Sequence, residues 1–230
     1  MLFLPYYKLK YGTINILAVV EASGLGDVRF LEWFKNSGHE FNDKYEINKA
    51  FKCASMNGHV KVLDWFKNSG YEFEYDEDAI NWASENGHIQ VLEWFKNSGY
   101  EFKYTESAIN SASENGHIKV LEWFKNSGYE FKYNKNAIFY ASWADNIQVL
   151  DWFNNSGYKF KYNKWAINYA SHHNKIKILK FFSYKINIKK VIKWKYNFLT
   201  KTIKWLKSIK FIKTLKFKTH NKYLKGYQKN

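Results

Sequence analysis

One slot constrains this chain more than any other feature. At Gly26, Gly58, Gly87, Gly116, Asp145 and Asn174 the sequence returns to the same local wording, at spacings of 32, 29, 29, 29 and 29 residues. A period in this range marks a supersecondary unit too small to bury its own apolar face, so copies must stack on one another. Each of the six copies has alanine eight residues before the slot, from Ala18 to Ala166, and again four before it, from Ala22 to Ala170. Residues four apart sit one above the other on a helix, so paired alanines make a smooth strip where a second helix can approach closely. Serine follows the second alanine in all six copies, from Ser23 to Ser171.

Apolar residues also follow the slot, at plus two, four, five, seven and eight, as in Ile89, Val91, Leu92, Trp94 and Phe95, with the acid Glu93 between them. This spacing predicts a second helix with an apolar face broad enough to be covered on more than one side. The punctuation agrees. Asn15, Asp76, Thr105, Asn134 and Asn163 stand where the first helix needs an N-cap. Asn-Gly pairs at Asn57, Asn86 and Asn115 predict the turn, and Ser-Gly pairs at Ser69, Ser98 and Ser127 the end of the second helix. The second copy has Ile47 at its N-cap position and carries the three extra residues, so its first helix is expected to begin earlier, near Asp43. The fold class that follows is all-α: a helix-turn-helix solenoid over residues 13–182, with a lead-in at 1–12 and a tail at 183–230.

The stretch from Ala79 to His88, Ala-Ile-Asn-Trp-Ala-Ser-Glu-Asn-Gly-His, resembles the core of an ankyrin repeat, and that from Val91 to Gly99 resembles its second helix. The likeness spans about residues 13–182 and is greatest to the shortened, aromatic-rich ankyrin repeats of giant amoebal DNA viruses. Alanine replaces the proline of the ankyrin signature, asparagine replaces its histidine, and four residues are missing between helices. The missing residues belong to the projecting β-hairpin, so short loops such as Tyr100–Thr105 are expected instead. The resemblance implies a protein-binding scaffold whose first helices and loops line a concave face. It also implies an intracellular location, in the host cytoplasm for a viral protein.

The formal net charge of +15 is not spread over the repeats. Of 36 basic residues, 15 lie in 183–230, where there is no acid, which leaves 21 bases against 21 acids in 1–182. Two readings of the tail stay open. Val191, Trp194, Phe198, Trp205, Ile209 and Ile212 fall near helical spacing and suit a cap on the end of the array. Alternatively, Lys189, Lys190, Lys193, Lys201, Lys204, Lys207, Lys210, Lys213 and Lys216, interleaved with aromatics, suit nucleic acid or another polyanion. Apolar runs fall far short of the roughly 20 residues that cross a bilayer, and no secretory leader pattern follows Met1, so no membrane span and no secretion are expected. Cys53 is the single cysteine, which excludes a disulfide within one chain.

Nothing in the repeat points to catalysis or to a cofactor. His59, His88 and His117 recur once per copy, and equivalent positions in stacked helices lie roughly 8–10 Å apart, too far to share a metal that needs ligands about 2.1 Å away. The acids Asp64, Glu93, Glu122 and Asp151 read as a solvated row able to pair with lysines, at about 0.3–0.5 kcal/mol each. Recurrent residues are scaffold, so function belongs where copies differ. Five residues before the slot the chain reads Trp82, Ser111, Tyr140 and Tyr169 in copies three to six, and two before it Glu85, Glu114, Trp143 and His172. These positions share one face of the first helix and are the candidate partner-binding residues of a monomeric scaffold. The row five before the slot fits packing between copies equally well.

Overall fold

The computed structural model describes residues 16–39, 41 and 44–185. Among them are twelve helices and no strand. The helices alternate as first and second members of six pairs: α1 (Ile16–Leu25) and α2 (Val28–Asn36), α3 (Lys44–Met56) and α4 (Val60–Asn68), α5 (Asp78–Glu85) and α6 (Ile89–Ser98), α7 (Glu106–Glu114) and α8 (Ile118–Asn126), α9 (Lys135–Trp143) and α10 (Ile147–Asn155), α11 (Lys164–His172) and α12 (Ile176–Lys185). Each first helix packs on the first helix of the next pair, each second helix on the next second helix, and the two members of a pair on one another. The result is a helical repeat solenoid. No helix of the described residues is long and apolar enough to cross a membrane.

The predicted caps form. Thr105 accepts from Ser107 N, Asn134 from Asn136 N and Asn163 from Ala166 N, each from the residue just before its helix. Asp76 accepts from Asp78 N at the start of α5; Asn15 lies outside the described residues. In the second copy, where Ile47 cannot cap, α3 starts at Lys44 and runs for 13 residues, with Ile47 turned into the core.

Every first helix then closes in the same way. The residue in the slot has a left-handed backbone in all six copies, with φ from 75° to 78° at the four glycines, 62° at Asp145 and 53° at Asn174. In copy three, Gly87 N donates to Ser84 O and His88 N to Ala83 O, the paired bonds of a Schellman closure. The second of these bonds recurs from Asp27 to Ala22, His59 to Ala54, His117 to Ala112, Asn146 to Ala141 and Lys175 to Ala170. The conserved second alanine therefore serves twice, as packing surface and as the carbonyl that ends the helix.

Both alanine strips are fully buried, as are Leu31, Leu63, Leu92, Leu121 and Leu150, and the phenylalanines from Phe66 to Phe182 that recur eight residues after the slot. The loops add a third layer. Phe102 stacks on Tyr129 with ring centroids 4.2 Å apart, and Phe131 on Tyr158 at 4.3 Å. The hydroxyls of Tyr75, Tyr104 and Tyr133 donate to the carbonyls of Glu101, Glu130 and Lys159, each in the following loop. Lys132 and Lys161 lie over the Tyr104 and Tyr133 rings at 4.4 and 4.1 Å. Burial pushes the Tyr75 and Tyr104 phenols up to about 12, so these hydroxyls remain donors at neutral pH.

Truncating Leu121 to alanine is expected to cost about 2–5 kcal/mol, as for buried leucines generally, and Ala112→Leu about 1–3 kcal/mol by overpacking the strip. Denaturant melts of both variants check the repeat register. A second pair tests the slot. A Cβ on Gly87 would lie 2.9 Å from His117 Nδ1, on a backbone with φ of 78°. Gly87→Ala is therefore expected to cost more than the roughly 1–2 kcal/mol of a left-handed residue. It should cost less in a His117→Asn background, since Gly116 faces Asn146 at a looser 3.1 Å. A double-mutant cycle that is additive within about 0.3 kcal/mol would refute this contact.

Candidate functional site

The recurrent serines bond within their own copy, but several other recurrent polar side chains join one copy to the next. In copies two, three, five and six the residue after the slot reaches back to the carbonyl two residues before the slot of the preceding copy, whereas in copy four Asn115 donates to that carbonyl, Glu85 O, at 3.0 Å. His59 Nε2 lies 2.9 Å from Gly24 O, and since a carbonyl only accepts, that nitrogen carries the proton. His88 bonds the Met56 carbonyl, Asn146 donates to Glu114 O, and Lys175 donates to Trp143 O at 2.7 Å while pairing with Asp145 at 3.0 Å. The histidine rows thus have a hydrogen-bonding job in the scaffold. The ring also explains the glycines: a Cβ at Gly26 or Gly58 would meet the next copy's ring at 2.7 Å. Asp145 can carry a side chain in the slot because it faces the flexible Lys175.

The acidic row requires a correction. Trp94 Nε1 donates to Asp64 at 2.6 Å and Trp123 Nε1 to Glu93 at 2.5 Å, and Trp152 Nε1 donates to Glu122. These acids accept an indole N–H from the next copy, and a charge-assisted bond of this kind is worth more than an exposed ion pair. Asp151 lacks such a donor among the described residues, because the next copy has Phe181 at the tryptophan position. A further row lies six residues before the slot. Lys52 donates to Asp76 at 2.6 Å and Asn81 to Thr105 at 3.0 Å, both N-cap groups of the next first helix, and Asn110 reaches Asn134 at 3.4 Å.

What remains on the first helices is the face that varies. Trp82 on α5 is half-buried with Lys52 Nζ 5.7 Å from its ring centroid, and α7 separates it from α9. It is therefore not part of the aromatic group on the later copies. Ser111 and Glu114 lie on α7, half-buried, and Glu85 on α5 is exposed. Burial, and then the nearby Glu85 charge, raise the Glu114 carboxyl above the usual carboxylate range.

The structure brings Trp143, Tyr169 and His172 close, on α9 and α11, while the Tyr140 ring packs on its neighbour Phe139 at 5.4 Å. The Trp143 and Tyr169 centroids are 6.5 Å apart, and His173 packs on Tyr169 at 4.2 Å. Two neighbours complete the group. Phe139 takes the place that asparagine or lysine holds in copies two to four and six, and Trp165 sits four residues before Tyr169. With Asn168, Tyr169, Ser171, His172 and His173 they line a cleft of about 440 Å³ with mainly apolar walls. Trp165 is 71% exposed and Trp143 45%. The signal for both additions was in the sequence: Trp165, Tyr169 and His172 follow the i, i+4, i+7 pattern of one helical face, and Phe139 breaks a polar row.

Cys53, half-buried on α3, has its thiol pushed up by burial, the opposite of an activated nucleophile. Among the described residues no three metal-ligating side chains converge. The candidate polyanion-binding lysines, from Lys189 to Lys216, lie outside the described residues. No protein-family model matches the chain, and no curated protein sequence matches it.

The histidine ladder generates a pH prediction. Burial lowers the His88 pKa below its ordinary 6.5, against the Met56 carbonyl that raises it, and the neighbouring His59 and His117 lower it further. A histidine depressed on folding binds fewer protons in the native state, so its contribution is complete above the unfolded value and is lost as pH falls through the folded one. The melting temperature should therefore fall between pH 7.5 and 5.5. It should fall less steeply in His88→Asn, an exchange that Asn146 shows can keep the backward hydrogen bond. Thermal scans across that range check both.

Proposed function

We propose that this chain is a protein-binding scaffold of the ankyrin type, with its partner docked across the first helices and anchored at α9 and α11. The observation that carries this reading is the exposed Trp165 at an apolar cleft of about 440 Å³, with the exposed Trp143 6.5 Å from Tyr169 in the wall of that cleft. Large aromatic side chains left in water beside a concave apolar surface are what interface hot spots are made of. The histidine, tryptophan and asparagine rows are engaged between copies, whereas this cluster occurs in copies five and six alone. Glu85 and Glu114 on the same side suit a cationic group of the partner, which would relieve their mutual repulsion. The reading implies an intracellular, monomeric adaptor without catalytic activity, as the ankyrin resemblance of the viral kind suggests.

A second reading rests on the 15 lysines and no acids of residues 183–230, which suit a polyanion. Affinity purification with the full chain and with a Trp143→Ala, Trp165→Ala variant separates the two. The variant is expected to weaken capture of the partner by at least about 30-fold, the value of a hot spot near 2 kcal/mol. Its melting temperature should stay close to that of the parent, because both side chains are exposed. If capture is unchanged and instead falls steeply with salt, at a log–log slope of about −0.7 per phosphate contact on single strands, the polyanion reading replaces the first.

A further inference from the structure

Among the described residues the last copy is uncovered on one face, and comparison with its predecessors defines that face. Ile80, Ile109 and Ile138 are fully buried, while the equivalent Ile167 is only half-buried. Ser55, Ser84, Ser113 and Ser142 are fully buried, while Ser171 is not, and Leu63, Leu92, Leu121 and Leu150 are fully buried, while Leu179 is not. Tyr104 and Tyr133 are 6% and 7% exposed, whereas Tyr162 is 39% exposed. The amides show the same loss. Asn81 exchanges two hydrogen bonds with Thr105 of the next copy and Asn110 donates to Asn134, but Asn168 makes no such bond and its Oδ1 is buried without a partner. Asn110 Oδ1 is also unpaired, so the distinguishing loss at Asn168 is of the whole next-copy partner. Each of these groups sits where the following helix pair lies in the earlier copies. The uncovered face adjoins the cleft at Asn168 and Ser171, but it is defined by comparison with the earlier copies, so this inference does not depend on the partner-binding reading.

We propose that residues 186–230 of this chain cover the end face of α11 and α12 as a terminal cap. Three features favour this occupant over a second copy of the protein. The segment begins at Lys185, the last residue of α12, so it is tethered beside the face at the high effective concentration of an intramolecular partner. Its 45 residues exceed the 29 that one helix pair uses, and Val191, Trp194, Phe198, Trp205, Ile209 and Ile212 supply apolar groups near helical spacing. It is not a seventh regular copy, because Lys195 and Leu199 stand where the alanines would be. A segment with apolar groups and a lysine at every third residue from Lys201 to Lys216 can cover one layer while presenting charge outward, which is what ends a solenoid.

Thiol labelling of the full chain tests this. In a Cys53→Ser background, Ile167→Cys probes the end face away from the cleft, and Ile138→Cys probes the same position one copy earlier, where burial is complete. If the cap is present, Ile167→Cys should label within about tenfold of the rate of Ile138→Cys, both limited by opening of the structure. Adding Trp194→Asp and Trp205→Asp should then speed labelling at Ile167→Cys by more than tenfold and leave Ile138→Cys unchanged. Fast labelling of Ile167→Cys in the parent chain overturns the proposal. So does protection that disappears on dilution, which assigns the face to a second copy, and so does protection indifferent to the tail substitutions. Hydrogen exchange on the unsubstituted chain gives an independent reading: amides of 166–171 as slow as those of 137–142 support the cap, and fast exchange there refutes it.

Discussion

The left-handed residue that closes each first helix is the constraint on which the other contacts depend. Its backbone reverses the chain within two residues, so the second helix starts immediately and lies against the first. The same reversal places the next side chain, a histidine in three copies, where it can reach the carbonyl of the copy before. That ring then occupies the space a Cβ would need in the preceding slot. Helix closure and stacking between copies are therefore one arrangement, and neither the glycine nor the histidine can be understood within its own repeat.

Four ladders follow from this geometry: backward bonds from the residue after the slot, tryptophan to acid along the second helices, amide to N-cap along the first helices, and tyrosine to carbonyl through the loops. All of them link neighbouring copies only. Stability in such an array is close to a sum over copies and their interfaces, so the ends are its weak points. The third ladder breaks at copy five, where Phe139 has no amide to give, and Asn168 and Tyr162 of copy six find no successor among the described residues. The tryptophan ladder stops there as well, because Phe181 has no N–H to give.

The varying face divides into two chemistries. Over α5 and α7 it carries Glu85 and Glu114, close enough for one charge to hinder the other. Over α9 and α11 it carries Trp143, Trp165, Tyr169 and the neighbouring histidines. Residues identical in every copy build a uniform surface and cannot by themselves select a partner. Selection needs the positions where repetition lapses, and these lapses gather at the end of the array.

Much of the architecture was legible in the residues themselves. The alanine pairs, the turns at the slots, the N-caps at Thr105, Asn134 and Asn163 and the early start of α3 all rest on interactions within a dozen residues, and local spacing encodes them. Contacts between copies were not legible in this way. Asp64, Glu93 and Glu122 read as solvated because their indole partners lie 30 residues away, and no local pattern says which row of one copy meets which row of the next. Trp82 shares a repeat position with Tyr140 and Tyr169, yet α7 stands between Trp82 and α9, while Phe139 and Trp165, marked in the sequence by a broken row and a helical face, meet only because α11 seats on α9. The sequence by itself determined the unit and its period, because hydrogen bonds and helical spacing act over short stretches of chain. The tertiary structure decided which side chains of different units meet, because that depends on how one rigid pair of helices seats against the next.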